Sequence, residues 1–220
     1  EDGFIITDLE SKNIQDCLTE ARAKVINYKD IKESLEIRLP GEHNQDNAKA
    51  AISVLESLGV EKEKSLEYIK NFQGTWRRLE YKGEKDNIVY YDDYAHHPTE
   101  IRASLLALKQ KYPEREIVCV FEAHQQSRTK LLFNDFVKAL SLADKVLLTP
   151  ILTVRETFDP TITNTVLKDA INKDVSKELA DTVQNSQELK QKLENIKTGK
   201  SLCVVLMGAG NIYTWTKELI

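Results

Sequence analysis

The 220 residues contain no apolar run near the roughly 20 that a helix needs to cross a bilayer, and no signal peptide opens the chain. Surplus positive charge is also missing: 31 Lys and Arg stand against 35 Asp and Glu, a net charge of −4. Phosphate-backbone affinity comes from an excess of cations, so this balance argues against a general nucleic-acid binder. Cysteines are few and odd in number, at Cys17, Cys119 and Cys203. The last two sit inside apolar, strand-like runs and read as reduced, buried thiols of a cytosolic protein. No Gly-x-x-x-x-Gly-Lys-Ser/Thr stretch occurs, so the chain carries no P-loop of its own. Gly-x-Ser-x-Gly is absent as well, which removes the usual nucleophile elbow and leaves Ser127 as a helix cap. The chain starts at Glu1 without a methionine and enters an apolar run, Gly3 to Thr7, at once; a fragment is expected.

Apolar residues make up 41% and charged residues 30%, a composition that suits a soluble globular chain. The length admits one large domain or two small ones. From Glu1 to about Asn71 the pattern is mixed. Short strand-like pieces (Phe4 to Ile6, Lys24 to Tyr28, Leu35 to Leu39) precede two helices. The first follows Pro40-Gly41, aligns Ala48, Ala51, Ile52, Leu55 and Leu58, and stops at Gly59; the second spans Lys62 to Phe72. From about Trp76 strands and helices alternate. A hairpin-like piece (Arg78 to Tyr81, turn at Gly83) leads to strand Ile88 to Tyr91. Further strands fall at Ile117 to Phe121, Lys145 to Thr149, Asp181 to Val183 and Leu202 to Met207. The intervening helices are Thr99 to Lys111, Thr129 to Leu142, Asn164 to Asn172 and Gln187 to Lys197, with a last one running to Ile220. Continuous Val/Ile/Leu/Cys strands separated by helices imply an α/β fold: a Rossmann-like parallel sheet with helices on both faces. A partial α/β unit precedes it.

Polar clusters follow the strands. They are Asp92 to Thr99, Glu122 to Arg128, then Thr153, Arg155 and Glu156, and finally Gly208, Gly210 and Asn211. In an open parallel sheet these points share one edge, where ligands bind. Gly208-Ala209-Gly210 lacks the third glycine of a dinucleotide fingerprint, since Tyr213 stands there. A tight turn that lets the backbone approach another group fits it better. Adjacent His96 and His97 point apart, and no His-x-x-x-His or paired cysteine occurs, so no metal ligands are assigned. His96 and His124 can donate to an anion, and Arg128 can hold a carboxylate with two bonds, at a helix start whose N–H groups favour negative charge. A small carboxylated substrate with a phosphorylated partner fits this mixture.

Asp92-Asp93-Tyr94-Ala95-His96-His97-Pro98-Thr99-Glu100 resembles the signature of the Mur ligases, and three more segments agree in order and spacing. Leu39 to Asn47 is similar to the family's Gly-x-His-Asn-x-x-Asn segment. Gly74-Thr75-Trp76-Arg77-Arg78 resembles the arginine pair between its central and C-terminal domains. Phe121 to Thr129, with Gly208-Ala209-Gly210, resembles the rest of the C-terminal domain. The resemblance implies that residues 1–75 are the remaining part of a central ATP-binding domain and 76–220 a C-terminal, amino-acid-binding domain. It implies the alanine-adding branch: ATP phosphorylates the carboxylate of UDP-N-acetylmuramic acid, and the amine of L-alanine attacks the acyl phosphate, in the cytoplasmic synthesis of peptidoglycan precursors. His96, His124 and Arg128 would be catalytic and, with Tyr94, would bind substrate. His43, Asn44, Asn47, Arg78 and Asp93 would contact ATP. Mg²⁺ ligands are expected in a missing N-terminal part, so this segment alone is expected to be inactive. His97 would pack the motif's turn or touch nucleotide.

Family members often carry Pro at the position of Ala123, Arg at that of Gln125 and Asp at that of Asn211. Gln125 therefore replaces a second cation and bears on amino-acid preference. Two other readings stand beside this one: a muropeptide ligase that adds a tripeptide, and a noncatalytic nucleotide-binding module. Ser127-Arg128-Thr129 favours the alanine-adding enzyme.

Overall fold

The structure, a computed structural model, describes residues 3–196 and 201–220. The chain divides into two compact units between Gln73 and Gly74.

The first unit holds strand β1 (Phe4–Thr7), helix α1 (Lys12–Leu18), strand β2 (Lys24–Asn27) and helices α2 (Glu42–Ser57) and α3 (Lys62–Asn71). Strands β1 and β2 pair in parallel. Its fully buried apolar residues are Leu35, Ala48 and Ile52, with Ile31, Ile37 and Ile69 packed against them. The expected strand Leu35 to Leu39 does not form. The side-chain amide of Gln45 takes the place of a ladder partner: it accepts from Leu35 N at 2.8 Å and donates to Leu35 O at 2.9 Å. Helix α2 follows the expected range, but Leu58 is 72% exposed because it lies at the C-cap, beyond the last buried turn. Gly59 ends it with φ +83°, a conformation glycine adopts without steric cost. Helix α1 was not visible in the periodicity: none of its residues is buried, so it carries no apolar stripe.

The second unit is a six-stranded sheet. Its strands are β3 (Glu80–Lys85), β4 (Ile88–Asp93), β5 (Glu116–Glu122), β6 (Lys145–Leu148), β7 (Ala180–Thr182) and β8 (Leu202–Gly208). They lie in the order β3-β4-β8-β5-β6-β7. All neighbours pair in parallel except β3 and β4. That pair is a hairpin, and its turn is at Asp86-Asn87, both with positive φ (52° and 66°). Gly83, expected at the turn, instead marks a register shift inside β3.

The crossovers are α4 (Pro98–Lys111), α5 (Gln126–Leu131) with α6 (Phe133–Leu140), α7 (Asn164–Asp174) and α8 (Ser186–Ile196). A 3-10 turn, Ile212–Trp215, and α9 (Thr216–Leu219) close the chain. Lys197, the expected end of α8, lies outside the described residues. Alternate residues of each strand feed two cores. Val89, Tyr91, Cys119, Phe121, Cys203 and Val205 pack with Ile101, Leu105 and Phe136 of α4 and α6. Tyr90, Val118, Val120, Val204 and Leu206 pack with Leu189 and Leu193 of α8 and with Leu219 of α9. Burial of each such side chain contributes about 1.5–3 kcal/mol.

The single helix expected over Thr129 to Leu142 is two helices, and the first starts earlier, at Gln126. The break at Leu132 turns Leu132 and Phe133 onto the core while Leu131 stays 83% exposed. Similarly, the last helix is a 3-10 turn followed by one short α-helical turn.

Candidate active site at the carboxyl rim

Because β4, β8, β5, β6 and β7 run parallel, their carboxyl ends share one rim. Strand β8 lies between β4 and β5, with Asp93 beside Met207 and Glu122 beside Gly208. Strands two apart are about 10 Å apart, so groups that follow β4 and β5 can meet only over the end of β8. At that end the chain is Gly208-Ala209-Gly210, packed closely against Glu122. A Cβ on Gly208 would lie 2.8 Å from the carbonyl oxygen of Glu122, and one on Gly210 would lie 2.1 Å from Glu122 Oε1. The glycines thus serve close packing against Glu122, which agrees with the tight-turn reading of the sequence.

The rings of His96 and His124 approach edge to face, with centroids 6.4 Å apart at 69°. Tyr94 meets His96 edge-on at 5.4 Å. His96 is fixed from its own motif: Nδ1 lies 3.0 Å from Tyr94 O, and its N–H donates to Glu100 Oε2 at 3.0 Å. Burial opposes Glu100's charge, but the N–H of His96, the His96 ring, the N–H of His97 and Arg78 together hold its carboxyl below the ordinary value. His97 turns away. Its Nδ1 accepts from Thr99 N at 3.3 Å and closes a capping box with Glu100 at the start of α4, so its role here is to hold the motif's turn.

His124 and Arg128 come from the β5–α5 segment. His124 Nδ1 and Arg128 Nη1 are buried and have no hydrogen-bond partner among the described residues. Burial, then the charges of Arg128 and His96, push the His124 pKa below its ordinary value. Two unsatisfied buried groups beside each other on a rim suit an incoming carboxylate or phosphoryl oxygen. The helix start beside Arg128 is not free for such an anion, contrary to expectation. Glu156 already occupies it, accepting from the N–H groups of Gln126 and Ser127 and from Ser127 Oγ. Ser127 is therefore a donor to Glu156, and Gln125 stands at the N-cap position with φ 72°.

Asp92, and Asp93, which the family resemblance places at ATP, are 2% and 3% exposed. Asp93 accepts from Ser104 Oγ and from Ala95 N, and Asp92 accepts from Thr216 Oγ1. Both carboxylates are engaged inward, and burial pushes their pKa values up. Arg78 is half exposed, 4.0 Å from Glu100 Oε1 and over the Tyr94 ring at 5.5 Å. His43, Asn44 and Asn47 lie on the first turns of α2 in the first unit. Asn47 is exposed, and Asn44 Nδ2 donates to Pro40 O at 2.8 Å. Among the described residues no group of three His, Cys, Asp or Glu side chains is placed to hold a metal ion.

Sequence reasoning passed over Arg77, Gln126 and the capping role of Glu156. Arg77 is 3% exposed, and its guanidinium lies over Tyr213, Tyr94 and Trp76 at 4.4, 4.9 and 5.5 Å. The arginine pair was legible, but not which member the fold would bury.

A parallel-rich sheet with helices on both faces, and polar segments gathered at its carboxyl rim, defines an α/β domain of Rossmann-like class. More narrowly, the chain belongs to the Mur ligase family: residues 77–210 match the family model described as Mur ligase, glutamate ligase domain. A UDP-N-acetylmuramate–L-alanine ligase from Hydrogenobaculum sp. is 39% identical over 98% of this chain and 46% of its own length. The chain spans about half the length of the curated relatives it matches. Among solved structures, the UDP-N-acetylmuramate–alanine ligase of Thermotoga maritima superposes with a TM-score of 0.66 at 32% identity, covering 84% of this chain and 38% of that one. A murein peptide ligase from Psychrobacter arcticus covers 99% of this chain and 50% of its own, with a TM-score of 0.63 at 19% identity, and shares the fold.

Proposed function

We propose that this chain is the amino-acid-adding half of an ATP-dependent ligase that joins L-alanine to UDP-N-acetylmuramic acid in peptidoglycan precursor synthesis. The observation that carries it is the approach of His96 and His124 to 6.4 Å beside the unpartnered Nη1 of Arg128. The names of the curated relatives support the alanine-adding branch.

ATP, when bound, supplies the phosphoryl group that activates the muramoyl carboxylate. The chain's own part is to bind and orient. Arg128 and His124 donate to carboxylate and phosphoryl oxygens, where fixed donors act most strongly as charge shifts. Tyr94 and His96 line the same space, and a neutral His124 is suited to accept a proton from the ammonium of L-alanine, which frees the amine lone pair for attack. By the family resemblance, adenine falls to His43, Asn44 and Asn47, and phosphates to Arg78. Asp93, turned inward, serves by holding the turn that carries Tyr94 and His96. Mg²⁺ would be held by residues outside this chain, and the whole protein would work in the cytoplasm. Among the described residues no helix is long and apolar enough to cross a membrane.

The test joins this chain to the nucleotide-binding part of a curated relative and measures ADP release. Release that needs both L-alanine and UDP-N-acetylmuramic acid is expected, and none from the 220-residue chain alone. Dependence on a tripeptide would assign the muropeptide reaction instead. His96→Ala or Arg128→Ala should lower the rate at least about tenfold, since each removes a charge-assisted contact worth about 1.5–3 kcal/mol. No loss would favour a noncatalytic nucleotide-binding module.

A further inference from the structure

The segment between β6 and α7, residues 149–163, is bonded along its length to the β5–α5 turn. Leu152 N donates to Ala123 O at 2.8 Å, and Gln125 N donates to Leu152 O at 2.9 Å. This continues the parallel pairing of β5 and β6 beyond the strands, as a bridge between His124 and Leu152. Glu156 then closes the start of α5 through Gln126 and Ser127. Further on, Lys130 pairs with Asp159 at 2.8 Å.

At the centre is Gln126, 2% exposed. Its Nε2 donates to Asp159 O and Ile162 O, both at 2.7 Å. Its Oε1 accepts from Asp159 N at 2.9 Å and from Thr153 Oγ1 at 3.4 Å. The amide group has two N–H donors and two acceptor lone pairs, and all four face the one loop. A buried amide saturated by four bonds to one segment ties that segment to the helix on which it sits, because any displacement strands several polar groups at once. That helix carries Arg128, and the residue two positions before Gln126 is His124.

We propose that Gln126 and Glu156 are positioning residues that fasten the 149–163 segment to the β5–α5 turn and thereby set where His124 and Arg128 point. This rests on the ligase reading above, in which those two groups hold the reacting carboxylate. Glu156 also brings a negative charge to a side chain otherwise faced by Arg128 and His96.

Three measurements test it. In the 220-residue chain, Gln126→Leu should speed hydrogen exchange at the Asp159 amide at least about tenfold while the amides of β5 stay protected. Unchanged exchange at Asp159 overturns the clamp, and the β5 amides show whether the variant has folded. Glu156→Gln keeps an acceptor oxygen but removes the charge. The NMR titration midpoint of His124 should fall; an unmoved His124 overturns the role given to Glu156. In the joined enzyme, Gln126→Leu should lower kcat/KM for UDP-N-acetylmuramic acid at least about tenfold, mostly through KM. An unchanged KM overturns the functional part of the proposal. If the unsubstituted joined enzyme shows no alanine-dependent turnover, the ligase reading fails, and the exchange and titration results still decide the clamp.

Discussion

Arg77 donates a hydrogen bond from Nη2 to the carbonyl oxygen of Gly208, 131 positions away. That contact fastens the start of the second unit to the glycine turn at the end of β8. The Tyr94 N–H donates to Arg77 O at 2.7 Å, so the histidine motif is tied to the same residue. Three site segments therefore meet on one buried guanidinium, faced by the rings of Trp76, Tyr94 and Tyr213 and close to the charges of Glu122 and Asp92.

Replacing it should be costly. Arg77→Leu removes the bond to Gly208 O and a cation close to the carboxyl groups of Glu122 and Asp92, a loss of about 2–4 kcal/mol in urea unfolding. Arg77→Lys should recover less than half, because an ammonium cannot lie flat against three rings. A loss within 0.5 kcal/mol would contradict this account.

The glycine turn should tolerate no side chain, with a definite order of severity. At Gly208 an added Cβ meets backbone, Glu122 O at 2.8 Å, at φ +156°. At Gly210 it meets the ends of side chains, Glu122 Oε1 at 2.1 Å and Leu152 Cδ2 at 2.7 Å. Side chains can shift more cheaply than a strand, so thermal unfolding should place Gly208→Ala below Gly210→Ala, and each should cost about 1–3 kcal/mol.

His124 should titrate below its ordinary 6.5, because burial and the charges of Arg128 and His96 disfavour its protonated form. In the window between the lowered folded value and about 6.5, the unfolded chain binds the proton more readily. Stability contributed by the neutral ring is thus present above that window and falls as pH drops through it. Arg128→Met should raise the NMR midpoint of His124 toward 6.5 and reduce the acid sensitivity. A midpoint that falls instead would refute the stated cause.

The start of β7 is held at its outer edge by Asn172. Asn172 Oδ1 accepts from Leu179 N at 2.9 Å and Ala180 N at 2.7 Å, while its Nδ2 donates to Ala180 O at 2.9 Å. Asn172→Leu should cost about 1–3 kcal/mol in a thermal melt and increase self-association by gel filtration, since an uncovered strand edge pairs with other chains.

Thiol reactivity should distinguish the cysteines. Cys17 is exposed; Cys119 and Cys203 are buried in the sheet, where burial raises both pKa values, that of Cys203 to about 12. A disulfide reagent should titrate one thiol in the native chain and three after unfolding. Three fast thiols in the native chain would mean that the sheet opens readily.

Much of this architecture was readable one residue type at a time. The continuous apolar runs that became β4, β5, β6 and β8 showed a sheet covered on both faces, because a strand buried on both sides has no polar register. Pro98 and Gly59 marked a helix start and a helix end by their backbone limits alone. What failed depended on tertiary contacts and turn geometry that local pattern does not fix. Gln45 captured the backbone of Leu35 and prevented a strand, and the Asp86-Asn87 turn displaced the one expected at Gly83. The α5–α6 break follows from which leucine reaches the core, and periodicity could not show that.

The order of segments, the parallel sheet and the motif that places the chain in its family were determined by sequence alone, because they depend on local pattern and spacing. Tertiary structure decided which charged groups found partners within the chain. Asp92, Asp93, Arg77 and Glu156 look as available in sequence as His124 and Arg128. Each of the first four finds partners brought to it by strand order, by the glycine turn or by the loop after β6. Desolvation makes a buried charge keep any partner within reach, and only the fold determines reach.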